Sequence, residues 1–167
     1  MNERILLADD APFMRMIQKD ILEKNGFEIC GEATHGMEVI EKYEELLPDV
    51  LILGLVLPKM DGIDVLREIK SNYPEAKVIV CSSMAREHYI VNALKHGASH
   101  FIIKPFDGEA FVSAVKSVIA NTKMAAMLGV NKINDWCSRQ NSYKPDENLT
   151  QEQADQIIGS YYQLFSK

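Results

Sequence analysis

Five short apolar runs alternate with longer amphipathic segments along the first 121 residues of the chain. The runs are rich in β-branched residues, and one of them, Val50-Leu-Ile-Leu53, has no polar position at all. Continuous apolar runs of this length are typical of strands that are buried on both faces of a parallel sheet. The pattern predicts strands over residues 5–8, 28–32, 50–53, 78–81 and 100–103.

The segments between these runs repeat apolar residues at helical spacing. In the first segment, Phe13, Ile17 and Ile21 recur on one face of a helix. Five alternating strand and helix pairs indicate an α/β fold, a doubly wound five-stranded parallel sheet with helices on both faces. The predicted helices cover residues 12–25, 36–46, 63–72, 86–96 and 108–121.

Polar residues follow several of the predicted strands. The pair Asp9-Asp10 comes after the first strand, Ser82 after the fourth and Lys104 after the fifth. The third strand is followed by a loop over residues 54–62. Ligands of doubly wound sheets bind beyond the carboxyl ends of the strands, so we expect these residues to converge on a site at that edge.

Composition and charge narrow the classes of function. With 47% hydrophobic and 25% charged residues, the chain has the composition of a globular protein. Its net charge of -6 disfavours binding to DNA or to an anionic membrane surface. We expect a cytoplasmic protein, because no apolar run reaches the roughly 18 residues of a membrane span and no signal peptide is evident. The three cysteines are far apart and lack C-x-x-C spacing, which indicates reduced thiols.

Taken together, the motifs resemble those of response-regulator receiver domains of the CheY type, over residues 1–121. The resemblance implies a flavodoxin-like (βα)5 fold and a role in phosphorelay signalling, not an enzyme. Its expected partners are a histidine kinase or phosphotransfer protein and a downstream protein target. The matching features are Asp9-Asp10, the Pro58-x-Met60-Asp61-Gly62 turn, Ser82, Phe101 and the Lys104-Pro105-Phe106 sequence.

One position departs from the family pattern. The family has a phosphate-accepting aspartate at the end of the third strand, four residues before the proline, and Gly54 occupies that position here. Glycine has no carboxylate to act as the nucleophile, so the chain is not phosphorylatable there. Two origins fit this departure, a natural pseudo-receiver or a variant altered at one position, and the retention of the other site residues favours the variant.

The resemblance also assigns roles to the residues around Gly54. Lys104 and Ser82 would contact phosphoryl oxygens, and Phe101 would swing inward on activation. The resemblance further implies a Mg²⁺ ion, bound weakly because the acceptor carboxylate is missing. Its ligands would be Asp9, Asp10 and the backbone carbonyl of Val56.

Each assignment has a structural alternative. Asp10 could cap the first helix, Ser82 could be a plain turn residue, and Phe101 could simply pack in the core. Lys104 alone could be a solvated charge, although the following proline suggests a fixed loop with a cis bond, as in the family. A small-molecule enzyme is disfavoured, because none of the four histidines has a carboxylate or thiol at suggestive spacing.

Residues 122–167 form an extension that holds five basic and five acidic residues. It has no basic recognition helix, so no DNA binding is expected. A capping box over residues 150–153 begins an amphipathic helix. The apolar residues Met124, Met127, Leu128, Ile133 and Trp136 predict another helix before it, so we expect a two-helix hairpin. Its apolar surface either folds back on the receiver or serves self-association or a partner. The second functional hypothesis is therefore a phosphorylation-independent scaffold that binds through these helices.

Overall fold

The computed structural model describes residues 2–84 and 86–128. Five strands in this part of the chain form one parallel sheet, in the order β2-β1-β3-β4-β5. This arrangement confirms the predicted doubly wound α/β fold. The strands are β1 (Arg4–Ala8), β2 (Glu28–Ala33), β3 (Val50–Leu53), β4 (Val78–Ser82) and β5 (His100–Ile103).

The helices begin and end within one residue of the predicted positions, with one exception. The last helix was expected to end at residue 121, and this was wrong, because it continues to Leu128. Residues 122–128 contain neither glycine nor proline and include good helix formers, so nothing in them stops the helix before Gly129. The helices are α1 (Pro12–Lys24), α2 (Gly36–Leu46), α3 (Gly62–Asn72), α4 (Glu87–Lys95) and α5 (Gly108–Leu128).

This continuation affects the predicted extension. The stretch that was assigned to a separate helix from residue 124 onward begins inside α5. The rest of the predicted hairpin, residues 129–167, lies outside the described residues. The division of the chain at residue 121 therefore stays a prediction.

The sheet separates two hydrophobic cores. Every residue of β3 and β4 is buried, as their continuous apolar runs predict. One core packs α2, α3 and α4 against the sheet, and the other packs α1 and α5, with the Phe111 ring stacked on Phe106 at 4.5 Å. Burial of one Leu, Ile or Phe side chain contributes about 1.5–3 kcal/mol, so these cores make the sheet a firm support for its edge.

The strand order reverses between β1 and β3, and ligands of such sheets bind at that point. Ala8 and Leu53, the last residues of these two strands, are paired in the sheet. The Gly54 amide also donates to the Ala8 carbonyl at 2.8 Å. Asp9 and Gly54 therefore lie side by side at the crevice.

The loop after β3 folds back closely on its own start. A Cβ atom added at Gly62 would lie 2.3 Å from the Gly54 carbonyl oxygen, so only glycine fits at this position. Asp61 precedes it as the N-cap of α3, and its side chain accepts a hydrogen bond from the Ile63 amide at 2.9 Å. The Asp-Gly motif thus fixes the path of the loop beside the crevice.

Candidate functional site

Asp9 is held from several sides at the end of β1. Its residue is only 3% exposed, and its Oδ1 accepts a hydrogen bond from the Ala11 amide at 3.0 Å. Its Oδ2 forms an ion pair with Lys104. The Arg15 guanidinium donates to the Asp9 backbone carbonyl at 2.6 Å and also pairs with Glu32 at 3.0 Å. Both carboxylate oxygens of Asp9 are therefore engaged within the protein.

Lys104 follows β5, the outermost strand on one side of the sheet, and its side chain extends to the Asp9 carboxylate. Its amide donates to the Ser82 carbonyl at 2.9 Å, and the Lys104–Pro105 bond is cis, as the resemblance implied. The Lys104 side chain is 17% exposed, so the ion pair is mostly shielded from water. Removing one partner of such a pair leaves a poorly solvated charge, which costs about 3–5 kcal/mol in fully buried cases. The solvated alternative for Lys104 is therefore wrong.

Gly54 leaves this ion pair without a neighbouring side chain from β3. A Cβ atom added there would lie 3.6 Å from Asp9 Oδ2 and 3.3 Å from the Ala8 carbonyl oxygen. Any side chain at position 54 would thus start beside the Asp9 carboxylate, after a shift of a few tenths of an ångström in its surroundings. The position expected to hold the acceptor faces the pair formed by Lys104 and Asp9.

The contacts of Ser82 and Phe101 agree with their structural alternatives, a turn residue for Ser82 and core packing for Phe101. Ser82 is 4% exposed, and its Oγ accepts a hydrogen bond from the Met84 amide at 3.1 Å, which is a turn interaction. Phe101 is buried in the core that packs against α2, α3 and α4. Ser82 is the last residue of β4 and lies at the carboxyl edge of the sheet, whereas Phe101 is the second residue of β5 and pairs with Val80, two residues before that edge.

Asp10 and Val56 are the other two residues of the predicted magnesium site, and both are exposed. The N-cap of α1 is Ala11 and no side chain caps this helix, so the alternative in which Asp10 caps it is wrong. Val56 is 61% exposed, which leaves its side chain out of the core.

The oxygen donors at this edge have the chemistry that Mg²⁺ prefers. Two carboxylates and a carbonyl suit a cation that keeps several water ligands. However, Lys104 occupies Oδ2 of Asp9, and no three His, Cys, Asp or Glu residues within 2–84 and 86–128 are grouped to hold a metal. The residues present therefore fit a two-carboxylate site once Lys104 has moved away from Asp9.

Two residues near the site were not expected from the sequence, Arg15 and Gln18. Gln18 is 1% exposed, and its amide nitrogen donates to the Cys81 sulfur at 3.6 Å. Burial raises the pKa of the Cys81 thiol to about 12, so it stays protonated at neutral pH. Gln18 lies one turn before the buried Leu22 on α1, and this spacing was the available sign that it faces inward.

None of the described helices is long and apolar enough to cross a membrane.

Comparisons with known proteins agree with this geometry. Residues 5–116 match the family model described as the response regulator receiver domain. The chemotaxis protein CheY of Thermotoga maritima is 48% identical over 118 residues, which cover 71% of this chain and 98% of that protein. The chemotaxis protein CheY of Bacillus subtilis is 44% identical over 119 residues, covering 71% and 99%.

A solved structure extends the agreement to three dimensions. The crystal structure of the CheX-CheY-BeF3-Mg²⁺ complex from Borrelia burgdorferi contains a chain that is 33% identical and superimposes with a TM-score of 0.68. The match covers 70% of this chain and 88% of that one. Since the family model spans most of the chain and the strand order, crevice and relatives agree with it, this chain belongs to the response regulator receiver family of two-component signalling.

Proposed function

We propose that this chain is a receiver-type signalling protein that accepts no phosphoryl group at the end of β3. The observation that supports this proposal is Gly54, which stands beside Asp9 and Lys104 where the family has its acceptor aspartate. Receivers are signalling proteins and generally not enzymes, and this chain would act by changing its contacts with other proteins. Its partners would be a histidine kinase or phosphotransfer protein and a downstream protein target.

The chemistry of phosphoryl transfer explains why the residue at position 54 decides whether this site can be phosphorylated. An acyl phosphate forms when a carboxylate oxygen attacks the donor phosphorus in line with the leaving group. Gly54 offers no such oxygen. Asp9 is a poor substitute, because Ala11 and Lys104 engage its two oxygens. Asp10 is exposed to solvent and follows β1, not β3.

The same edge would still bind Mg²⁺, although weakly. Receiver domains generally bind this ion, and the Borrelia neighbour is described with it. In this chain Asp9, Asp10 and the Val56 carbonyl would be the ligands, without the third carboxylate that position 54 would supply. Lys104 would compete with the ion, because both are cations that require Oδ2 of Asp9.

A second candidate function is a pseudo-receiver that serves as an interaction scaffold. It is favoured by the ion pair between Lys104 and Asp9, which balances the charge of this edge without a metal or a phosphoryl group. A platform with such a pair would keep its shape whatever the state of the signalling pathway. Its binding would then depend on the residues after α5.

Intact-mass measurement of three proteins distinguishes the candidates. The unaltered chain, Gly54→Asp and Gly54→Asn are incubated with Mg²⁺ and acetyl phosphate, and the mass of each is followed with time. We expect a labile phosphoryl group on Gly54→Asp alone. Gly54→Asn is the matched control, because it adds a side chain of nearly the same size without a carboxylate nucleophile.

The other results have clear meanings. If neither the unaltered chain nor Gly54→Asp gains mass while both remain folded, the site lacks more than its acceptor, and the scaffold becomes the better account. Phosphorylation of the unaltered chain would contradict the proposal directly. It would direct the search for an acceptor to Asp9, Asp10 or Ser82.

A further inference from the structure

A groove of about 780 Å³ lies between α1 and α5, outside the site described above. Its floor includes the apolar side chains of Ile21 and Val112. Charged side chains from both helices line its sides. These are Asp20 and Lys24 on α1, and Glu109 and Lys116 on α5.

The charges are arranged along the groove. Helices α1 and α5 connect to parallel strands and pack in the same core, so they run in roughly the same direction. They come close at the start of α5, where a Cβ atom added at Gly108 would lie 3.6 Å from Ile21 Cδ1. Glu109 lies near this point and forms no ion pair with another described residue, which makes this end of the groove acidic.

Further along α5, the groove is basic. Lys116 lies two turns after Glu109 on this helix. On α1, Asp20 and Lys24 are one turn apart and form an ion pair at 2.7 Å, so they neutralise each other. Lys116 has no ion-pair partner among the residues that the structure describes. The groove thus offers one unpaired cation beside an apolar floor.

We propose that residues 150–166 of this same chain dock in this groove. This segment is the predicted amphipathic helix, and its start is acidic whereas its end is basic. Glu152 and Asp155 stand in its first turns, and Lys167 follows its last residue. Its apolar face consists of Ala154, Ile157, Ile158, Tyr161 and Phe165.

Charge complementarity sets the direction of the docked segment. If the segment runs antiparallel to α5, its acidic start lies beside Lys116. Lys167 then lies beside Glu109 at the other end. A parallel arrangement would place like charges together at both ends, so the antiparallel direction is the favoured one.

The lengths of the segments allow this arrangement. A helix of 17 residues is about 25 Å long, close to the roughly 20 Å that α5 covers from Gly108 to Ala120. The 21 residues of the connection, 129–149, extend to about 70 Å at most, which is ample for a return along α5. A tethered segment also has an effective concentration in the millimolar range, so it occupies a shallow groove more readily than a free partner does.

Hydrogen exchange of the full-length chain tests the docking. We expect amides in residues 154–166 to exchange several-fold more slowly than in an unstructured peptide of the same sequence. Lys116→Glu should reduce this protection by about threefold, since it replaces an exposed ion pair by a repulsion between like charges. Asp155→Lys should do the same. The double variant Lys116→Glu, Asp155→Lys should restore most of the protection.

Arg67→Glu is the matched control, because it makes the same charge change on α3, on the other side of the sheet, at a side chain that is 61% exposed. It should leave the exchange of residues 154–166 unchanged. The proposal is overturned if these amides exchange at the unprotected rate, or if the double variant fails to restore protection. It is equally overturned if protection appears only as the protein dimerises with rising concentration, because the occupant is then a second copy.

Discussion

The ends of β1 and β3 lie side by side, yet they differ in how many hydrogen bonds and ion pairs fix them. At the end of β1, Asp9 is 3% exposed and has partners at both carboxylate oxygens and at its carbonyl. At the end of β3, Gly54 has only its backbone hydrogen bond to Ala8. One strand end is fixed by a charged network, whereas the other carries no side chain.

The two strand ends therefore have separate physical roles. Asp9 and Lys104 join the ends of β1 and β5 through an ion pair that spans the edge of the sheet. Position 54 contributes no side chain, and β3 still pairs with β1 up to Leu53. The receiver fold therefore does not require a carboxylate at position 54.

The largest expected effect comes from breaking the ion pair at the β1 end. Lys104→Met should lower the free energy of unfolding by about 3 kcal/mol, because the Asp9 carboxylate stays buried without its cation. Urea denaturation at neutral pH measures this loss. Asp9→Asn should also destabilise, and the double variant should lose clearly less than the sum of the two. Additive losses would show that Lys104 and Asp9 do not act as a pair.

A carboxylate introduced at the end of β3 should strengthen the binding of Mg²⁺ at this edge. Gly54→Asp places a third carboxylate beside Asp9 and Asp10, so Mg²⁺ should bind it about tenfold more tightly than the unaltered chain. At Mg²⁺ concentrations well above both dissociation constants, the ion should stabilise Gly54→Asp by about 1.4 kcal/mol more than it stabilises the unaltered chain. Thermal unfolding with increasing Mg²⁺ measures both proteins, with Gly54→Asn as the control. An equal Mg²⁺ response in all three would mean that position 54 does not face the cation.

A substitution that touches neither Asp9 nor Lys104 shows whether the comparison is specific. Glu38 caps the start of α2 by accepting from the Thr34 amide at 2.7 Å, while His35 accepts from the Glu38 amide at 3.2 Å. Glu38→Ala should cost about 1 kcal/mol of stability at pH 7, which denaturant melts would detect. It should leave the Mg²⁺ response unchanged.

The pH dependence of this cap follows from the same contacts. The hydrogen bonds from Lys42 and from the Thr34 amide lower the pKa of Glu38 to about 2 from its usual 4.5. Its contribution is therefore fully present above pH 4.5 and is lost as the pH falls through about 2. The stability difference between the unaltered chain and Glu38→Ala should shrink over this acidic range. A difference that grows on acidification would contradict the assigned cause.

The smallest effect on stability is expected at Asp10. Because Asp10 is exposed, Asp10→Asn should change the free energy of unfolding by less than about 0.5 kcal/mol. The same variant should lose most of the weak Mg²⁺ binding, as measured by chemical-shift titration. Retained binding together with a large loss of stability would reverse the roles proposed for Asp9 and Asp10.

Most of the fold was predictable from the sequence because its determinants are local. Runs such as β3 and the amphipathic face of α1 carry periods that only one kind of element satisfies. The end of α5 was not predictable in this way. Its end was placed after the stripe formed by Phe111, Val115 and Val118, but no glycine or proline separates that stripe from the residues up to Leu128, so the helix continues.

The sequence predicts which residues lie at the site better than it predicts the contacts between them. The sequence places Asp9, Ser82 and Lys104 at one edge, since each follows a parallel strand. It does not specify that Lys104 pairs with Asp9, because this contact joins residues 95 positions apart and depends on the space beside Gly54. Arg15 and Gln18 were missed for a similar reason, as polar residues on a helix are normally assigned to its exposed face.

We propose that this receiver lacks only its acceptor, and chemical mapping of the phosphorylated residue is the direct test. Gly54→Asp is treated with Mg²⁺ and acetyl phosphate, and borohydride then reduces any acyl phosphate at an aspartate to homoserine, which peptide sequencing by mass spectrometry locates. We expect homoserine at position 54 of this variant and none in the unaltered chain. Homoserine at Asp9 or Asp10 of the unaltered chain would contradict this proposal, because the site would then hold an acceptor that does not depend on position 54.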